Sequence, residues 1–260
     1  MSSPSASPLL ARDLLHPVVA GLISVIVNYG GTFILVFQAA KVAGLSPALT
    51  ASWVWSVSIG VGVTGILLSW AARGPIITAW STPAAAFLVT ALATTPYAEA
   101  VGAYLISAAA FVALGLSGCF DKAIRLIPPG VAAGLLAGIL LPFGIGAFGG
   151  MSLDPLLTGW LILAYVALKR YTARYAVVGI LVSGLALLLL QDRLDLSGLR
   201  LEFATPVFTA PAFSLNGLLS VALPLFLITL TGQYMPGMLV LRNDGFKTSA
   251  NPIVTLTGLG

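Results

Sequence analysis

The sequence predicts an all-α polytopic membrane protein, and three observations carry that prediction. Of the 260 residues, 58% are hydrophobic and only 8% are charged, with a mean hydropathy of +1.04. A water-facing domain carries about 25% charged residues, so this chain cannot cover such a surface and most of its exterior must face lipid. Apolar runs near the roughly 20 residues that a helix needs to cross a bilayer alternate with short connections of Pro, Gly and charge. The basic residues then fall unevenly between alternate connections.

Residues 1–16, beginning MSSPSASPLLARDLL, read as a disordered cytoplasmic tail rich in Ser and Pro. The apolar run behind it exceeds a signal-peptide core of about 7–15 residues and is read as a retained first span. Eight runs follow in order: Val18–Ala40, Ala51–Ala71, Ile76–Thr94, Ala100–Phe120, Gly130–Phe148, Met151–Leu168, Tyr175–Leu190 and Gly217–Leu241. Residues 17–190 hold the first seven. Residues 191–216, with Asp192, Arg193, Asp195, Arg200, Glu202 and the extended-looking FATPVFTAPAF, read as an external linker. Residues 217–260 hold the eighth run and the start of a ninth, NPIVTLTGLG, so the chain reads as truncated in mid-run.

With the N-terminus cytoplasmic, the inner connections carry Arg12, Arg73, Lys122, Arg125, Lys169, Arg170, Arg174, Arg242 and Lys247. The outer ones carry Lys41, Arg193 and Arg200. That asymmetry is the positive-inside bias, and Trp53, Trp55 and Trp70 near the ends of the second run suit an aromatic belt. The net charge of +4 reflects these scattered residues and not a nucleic-acid-binding patch.

The third run can be drawn in two ways. One is a continuous helix over Ile76–Thr94, about 28 Å long, kinked at Pro83. The other is an extended piece over Ile76–Ser81 followed by a half-helix opening at Pro83. Pro75 before the β-branched Ile76, Ile77 and Thr78, an N-cap at Ser81 or Thr82, and Pro in the first helical turn favour the second drawing. A half-helix N-terminus at that depth offers free N–H groups and partial positive charge to an anion. Broken spans in secondary transporters mark the substrate site.

Two further runs carry polar groups beside glycine near mid-span: NYGGT in the first, with Asn28, Tyr29 and Gly30, and GQYMPG in the eighth, with Gln233 and Tyr234. Amides are costly in lipid and are expected to face protein or a cavity. Three such places in separate runs point to a binding cavity, with Tyr29, Phe33, Trp80 and Tyr234 as aromatic walls. In the fifth run, Gly130, Gly134 and Gly138 at four-residue spacing predict close helix packing, with Pro142 as a kink.

No enzyme signature is present. A Walker-type phosphate loop and a His/Cys metal cluster are absent, and His16 and Cys119 are each the only one of their type. All eight acidic residues fall at run ends or in connections, so none serves as a mid-membrane proton relay. No cofactor, metal or nucleic-acid partner is expected.

The segments VFQAAKVAGLSPA, SWVWSVSIGVGVTGILLSW, PIITAWSTPAAAFLV and GQYMPGMLVLRNDGF resemble the benzoate–proton symporter family of the BenE type, from about Arg12 to Gly260. ITAWSTPAAA is the most specific part. The resemblance implies kinship with uracil-permease-type transporters built from two inverted seven-helix halves, of which residues up to about Leu190 form the first. It implies an inner-membrane importer of benzoate coupled to a proton, with a second copy of the chain as a candidate partner. It further implies that Ser81, Thr82, Pro83 and Ala84 contact the substrate carboxylate. Gln233 would stand where uracil permeases carry a carboxylate, and an amide there suits an anionic substrate. A permease for another small organic anion or a nucleobase is the alternative.

Overall fold

The computed structural model describes residues 11–172, 175–195, 197, 203–246 and 249–260, without the side chains of residues 11–17, 27, 125, 129, 132, 135 and 136. The described residues are helical, with no strand among them. In chain order the helices are α1 (Ala11–Gly31), α2 (Phe33–Val42), α3 (Pro47–Ala72), α4 (Thr82–Ala91), α5 (Tyr97–Ser117), α6 (Phe120–Leu126), α7 (Pro129–Leu153), α8 (Pro155–Tyr171) and α9 (Ala176–Leu190). They are followed by α10 (Leu215–Asn243) and α11 (Ala250–Leu259). Val18–Val42, Pro47–Ala72, Tyr97–Ser117 and Leu215–Asn243 are long and apolar enough to cross a membrane. Large side chains stand open along these and other helices, among them Trp70 at 80%, Leu116 at 74% and Leu163 at 70% exposure. Lipid is the solvent that such a surface fits.

The helix ends follow local chemistry. Ser46 caps α3 through its hydroxyl, which accepts from Leu49 N at 3.3 Å, and Pro47 fills the first turn where no N–H is needed. Asp154 caps α8 in the same way. Gly118, at φ 69, closes α5 in the left-handed region that suits glycine. The helix α1 begins at Ala11, within the stretch read as a tail. Ala, Arg and Leu are strong helix formers and extend the first run toward the N-terminus. Residues 1–10 of that tail lie outside the described residues.

Inside α10 the backbone widens into π turns at Leu218–Ala222 and Leu230–Tyr234. Each ends two residues before a proline, Pro224 and Pro236. Leu223 N–H reaches Leu218 O and Met235 N–H reaches Leu230 O, both five residues back. A proline ring collides with the carbonyl four residues earlier, and a widened turn relieves that clash without ending the helix. Ser107 of α5, a buried residue, donates to Ala222 O at 2.9 Å and satisfies a carbonyl of the first π turn.

The chain forms two compact units, Met1–Phe33 with Phe148–Leu199, and Ile34–Ala147 with Arg200–Gly260. In the first, Leu181 of α9 lies against Gly30 of α1, where a β-carbon would stand 3.1 Å from its Cδ2. Arg193 pairs with Asp154 there. In the second unit, one core joins Leu68, Ile76, Phe111, Phe120, Leu230, Met238, Ile253 and Val254. Another joins Ala39, Leu88, Leu92, Ala100, Ala103, Val221 and Ala222. Arg242 pairs with Asp121 at 3.2 Å. Both ion pairs join connections that the charge alternation assigns to one side of the membrane.

Close helix packing through glycine occurs, but not where the sequence suggests it. A β-carbon on Gly130, Gly134 or Gly138 would meet nothing within 4 Å, so the four-residue stripe is an open face. On Gly115 of α5 it would stand 2.7 Å from Thr255 N and 2.8 Å from Asn251 O, so α11 crosses α5 almost backbone to backbone. Gly258 repeats the contact against Ala108 O at 2.9 Å.

The linker is also more than a spacer. Ser52 Oγ accepts from Val207 N at 2.8 Å and donates to Val207 O at 3.3 Å. Ala212 N donates to Ala98 O at 2.9 Å, and Ser214 Oγ donates to Glu99 while accepting from Gly217 N. Residues 203–214 thus lie as an extended strap against α3 and α5.

Candidate functional site

The site grows out of the connection after α3. Arg73 ends that helix at φ 48, its N–H turning back to Ser69 O and Trp70 O, and Gly74 and Pro75 reverse the chain. Residues 75–81 then run without helix, and α4 opens at Thr82 with Pro83 in its first turn. Ser81 is the N-cap, extended at φ −81 and ψ 111, and its Oγ accepts from Ala84 N at 3.3 Å.

Hydroxyl groups of α3 hold the extended piece. Ser69 Oγ donates to Ile76 O at 2.8 Å and accepts from Ile76 N at 3.2 Å, serving both backbone groups of one residue. Thr78 Oγ1 donates to Val61 O at 2.7 Å, while Thr64 Oγ1 reaches Thr78 Oγ1 at 3.1 Å. Gly65 makes room, since a β-carbon there would sit 3.0 Å from Thr78 Oγ1. Ile76 pairs with the last turn of α3 and Thr78 with its middle, so the segment runs back along α3 in the opposite direction. Ile76 is buried in one core and Leu88 in the other, which anchors the chain on both sides of Ser81.

The second wall comes from the π turn of α10. Gln233 Nε2 donates to Trp80 O at 3.3 Å and lies 3.5 Å from Ala79 O, tying α10 to the extended piece. Gly232 passes beside Pro83, whose Cγ would be 3.6 Å from a β-carbon there. Tyr234 packs its ring on Phe111 at 5.0 Å and shares a hydrogen bond with the Thr257 hydroxyl.

These elements line a cavity of about 1400 Å³. Ser81, Ala84, Gln233 and Tyr234 are on its wall, with Thr64, Thr78, Ser107 and Thr257. Thr82 and Pro83 are not on it. Thr82 is exposed at the start of α4, and Pro83 faces Gly232. Among the described residues no charged side chain lines the cavity, so an anion inside it would rely on neutral donors: amide, hydroxyl and backbone N–H. The α4 N-terminus offers fewer of these than a bare helix end, because Pro83 has no N–H and Ala84 N–H is held by Ser81.

Asn28, Tyr29 and Gly30 belong to the first unit. There Asn28 Nδ2 donates to Ser24 O at 2.9 Å in its own helix, and Tyr29 stacks on Phe33 at 4.4 Å. Among the described residues there is no group of three or more His, Cys, Asp or Glu that could hold a metal ion.

Sequence reasoning missed the clamp residues Ser69, Thr64 and Thr78, and an aromatic group of Trp53, Tyr97 and Tyr104 on the cavity wall. The clamp has a faint local signal, hydroxyls at 64 and 69 in an otherwise apolar run followed by Pro75. The aromatic group has none, because Trp53 of α3 meets Tyr97 and Tyr104 of α5 only once the helices pack.

The family model for the benzoate membrane transport protein, BenE, matches residues 14–260. Over 245 residues the chain is 40% identical to the benzoate membrane transport protein of Acinetobacter baylyi, covering 94% of this chain and 62% of that protein. It is 35% identical over 242 residues to the inner membrane protein YdcO of Escherichia coli, covering 93% of this chain and 62% of that one. The chain thus spans somewhat under two thirds of the length of these relatives. No solved structure matches it. A family match running from residue 14 to residue 260, together with the apolar helices, leads to one assignment: the chain belongs to the benzoate membrane transport protein family.

Proposed function

We propose that this chain is part of a secondary transporter that carries benzoate across the inner membrane together with a proton. The observation that carries the reading is the arrangement at Ser81. An extended segment returns along α3 to about the level of its middle, and a capped half-helix starts there, beside a cavity that no charged side chain lines among the described residues. We read this arrangement as the broken third span that the sequence suggests, and as the half-site of an inverted-repeat transporter. Unpaired backbone is tolerated at membrane depth only when protein or a water-filled cavity receives it, and here α3 hydroxyls and Gln233 do so.

The substrate carboxylate is placed at the Ser81–Ala84 cap, where Ser81 Oγ and the α4 dipole favour negative charge. Gln233, held through Nε2 on the Trp80 and Ala79 carbonyls, lies on the same wall. Tyr234 and Phe111 offer aromatic faces to its ring. The reading rests on residues of the second unit alone; Asn28, Tyr29 and Gly30 lie in the first. Benzoate is preferred over an inorganic anion because aromatic side chains line the cavity.

The test is uptake of labelled benzoate by cells expressing the gene that encodes this chain, with and without a protonophore. Saturable uptake that collapses with the proton gradient supports the reading. Gln233→Glu is expected to weaken uptake at neutral pH, since an ionised carboxylate repels the substrate and loses its donor to Trp80 O, with partial recovery as the pH falls. Verified membrane expression without uptake above empty cells rules benzoate out, and other small organic anions and nucleobases are the panel to try next.

A further inference from the structure

We propose that a groove along α2 and α3 holds an anionic phospholipid, with the phosphate on Lys41 and one acyl chain lying along α3. The groove is separate from the cavity at Ser81, and its occupant does not depend on what the protein carries.

The first observation is position and depth. Two of the helical stretches long enough to cross a membrane meet here, Val18–Val42 and Pro47–Ala72, so Lys41 and the turn 43–46 stand at a membrane face. A groove of about 670 Å³ starts at that level, lined by Phe37, Ala40 and Lys41 of α2 and by α3 from Pro47 to Ser58. At 1.5 Å per residue that stretch of α3 is about 16 Å long, half of a hydrocarbon core about 30 Å thick. The groove therefore has the depth of one leaflet, which suits an acyl chain; a helix from another chain would cross the whole core.

The second observation is the polarity along the groove. Among the described residues Lys41 is the charged side chain that lines it. Lys41 is exposed and takes part in neither of the described ion pairs. Deeper in, Ala51, Val54 and Trp55 present mainly carbon. The hydroxyls on this wall are spent within α3: Thr50 Oγ1 donates to Ser46 O at 3.0 Å and Ser58 Oγ to Val54 O at 2.6 Å. A lysine near a membrane surface attracts anionic lipid, and its apolar stem lies readily along the hydrocarbon boundary. A cation at the membrane face with carbon beneath it complements an anionic headgroup above its acyl chain.

The experiment titrates the purified full chain in detergent with phosphatidylglycerol and, separately, with phosphatidylcholine carrying the same acyl chains. Bound lipid is counted by native mass spectrometry. Wild type should hold one phosphatidylglycerol more tightly than phosphatidylcholine. Lys41→Gln should weaken phosphatidylglycerol about fivefold, the worth of one lysine at an anionic surface, and leave phosphatidylcholine unchanged. Ala51→Phe, at an exposed position on the groove wall, should weaken both lipids by filling the groove. Leu116→Phe, at an exposed position of α5 outside the groove, is the control and should weaken neither. Lys41→Gln binding within twofold of wild type overturns the headgroup site, as does wild type with no preference between the two lipids. A lipid-free dimer that Ala51→Phe breaks overturns the proposal too, by placing a second copy of the chain in the groove.

Discussion

Replacing Ser69 with alanine should loosen the start of the extended segment while leaving every helix in place. The Ser69 hydroxyl makes two bonds to one residue, donating to Ile76 O at 2.8 Å and accepting from Ile76 N at 3.2 Å. Ile76 is only 5% exposed, so water cannot readily replace either bond. Side-chain hydrogen bonds inside membrane proteins are worth about 0.6 kcal/mol on average and about 1.7 at most. Two of them give about 1.2 kcal/mol, with a ceiling near 3.4. At about 1.36 kcal/mol per factor of ten, the average corresponds to roughly eightfold more frequent opening of the segment. The assay is hydrogen–deuterium exchange of a peptide covering residues 75–81 in detergent. Thr90→Ala serves as the control, because the exposed Thr90 hydroxyl bonds only Phe87 O in its own helix, at 2.8 Å. Exchange in Ser69→Ala that matches this control would refute the claim that α3 hydroxyls hold the segment.

Gly115→Ala should destabilise the protein by about 1–3 kcal/mol, since the new β-carbon meets the backbone of Thr255 and Asn251 and α11 must move. Gly134→Ala, with nothing within 4 Å, should leave the melting temperature unchanged or slightly raised. Equal melting temperatures for the two variants would contradict the crossing described for α5 and α11. For pH, the Leu157 backbone N–H and the Arg193 side chain hold the Asp154 carboxyl below its ordinary value. With the folded value below the unfolded one, the stabilisation is fully present above the ordinary carboxylate range near 4 and is lost as pH falls through the folded value. Thermal unfolding between pH 3 and pH 7 should therefore fall off at the acid end, and less steeply in Asp154→Asn.

Features that depend on neighbouring residues were legible in the sequence. Composition alone placed the chain in lipid, because a surface with so few charges has no other solvent. Ser81 as a cap, Pro83 in the first turn and Pro75 before a β-branched pair are local signals, and the non-helical segment and the start of α4 fall where they point. Pro224 and Pro236 were visible too, but a proline alone does not reveal whether a helix ends, kinks or widens. Here α10 keeps its neighbours through both π turns, and the helix continues.

What the tertiary structure decided is which distant residues meet. The glycine stripe of α7 has the right spacing for close packing and faces open space, while Gly115, with no such pattern, receives the backbone of α11. The linker read as a spacer because its bonds to Ser52, Ala98 and Glu99 join residues more than a hundred positions apart. The same holds for Gln233, whose hold on Trp80 O spans 153 positions. Periodicity and capping act over a few residues and leave a mark in the sequence. A hydrogen bond between distant segments exists only after the helices pack, so the hold of Gln233 on Trp80 O and that of Ser52 on Val207 became visible only in the folded chain.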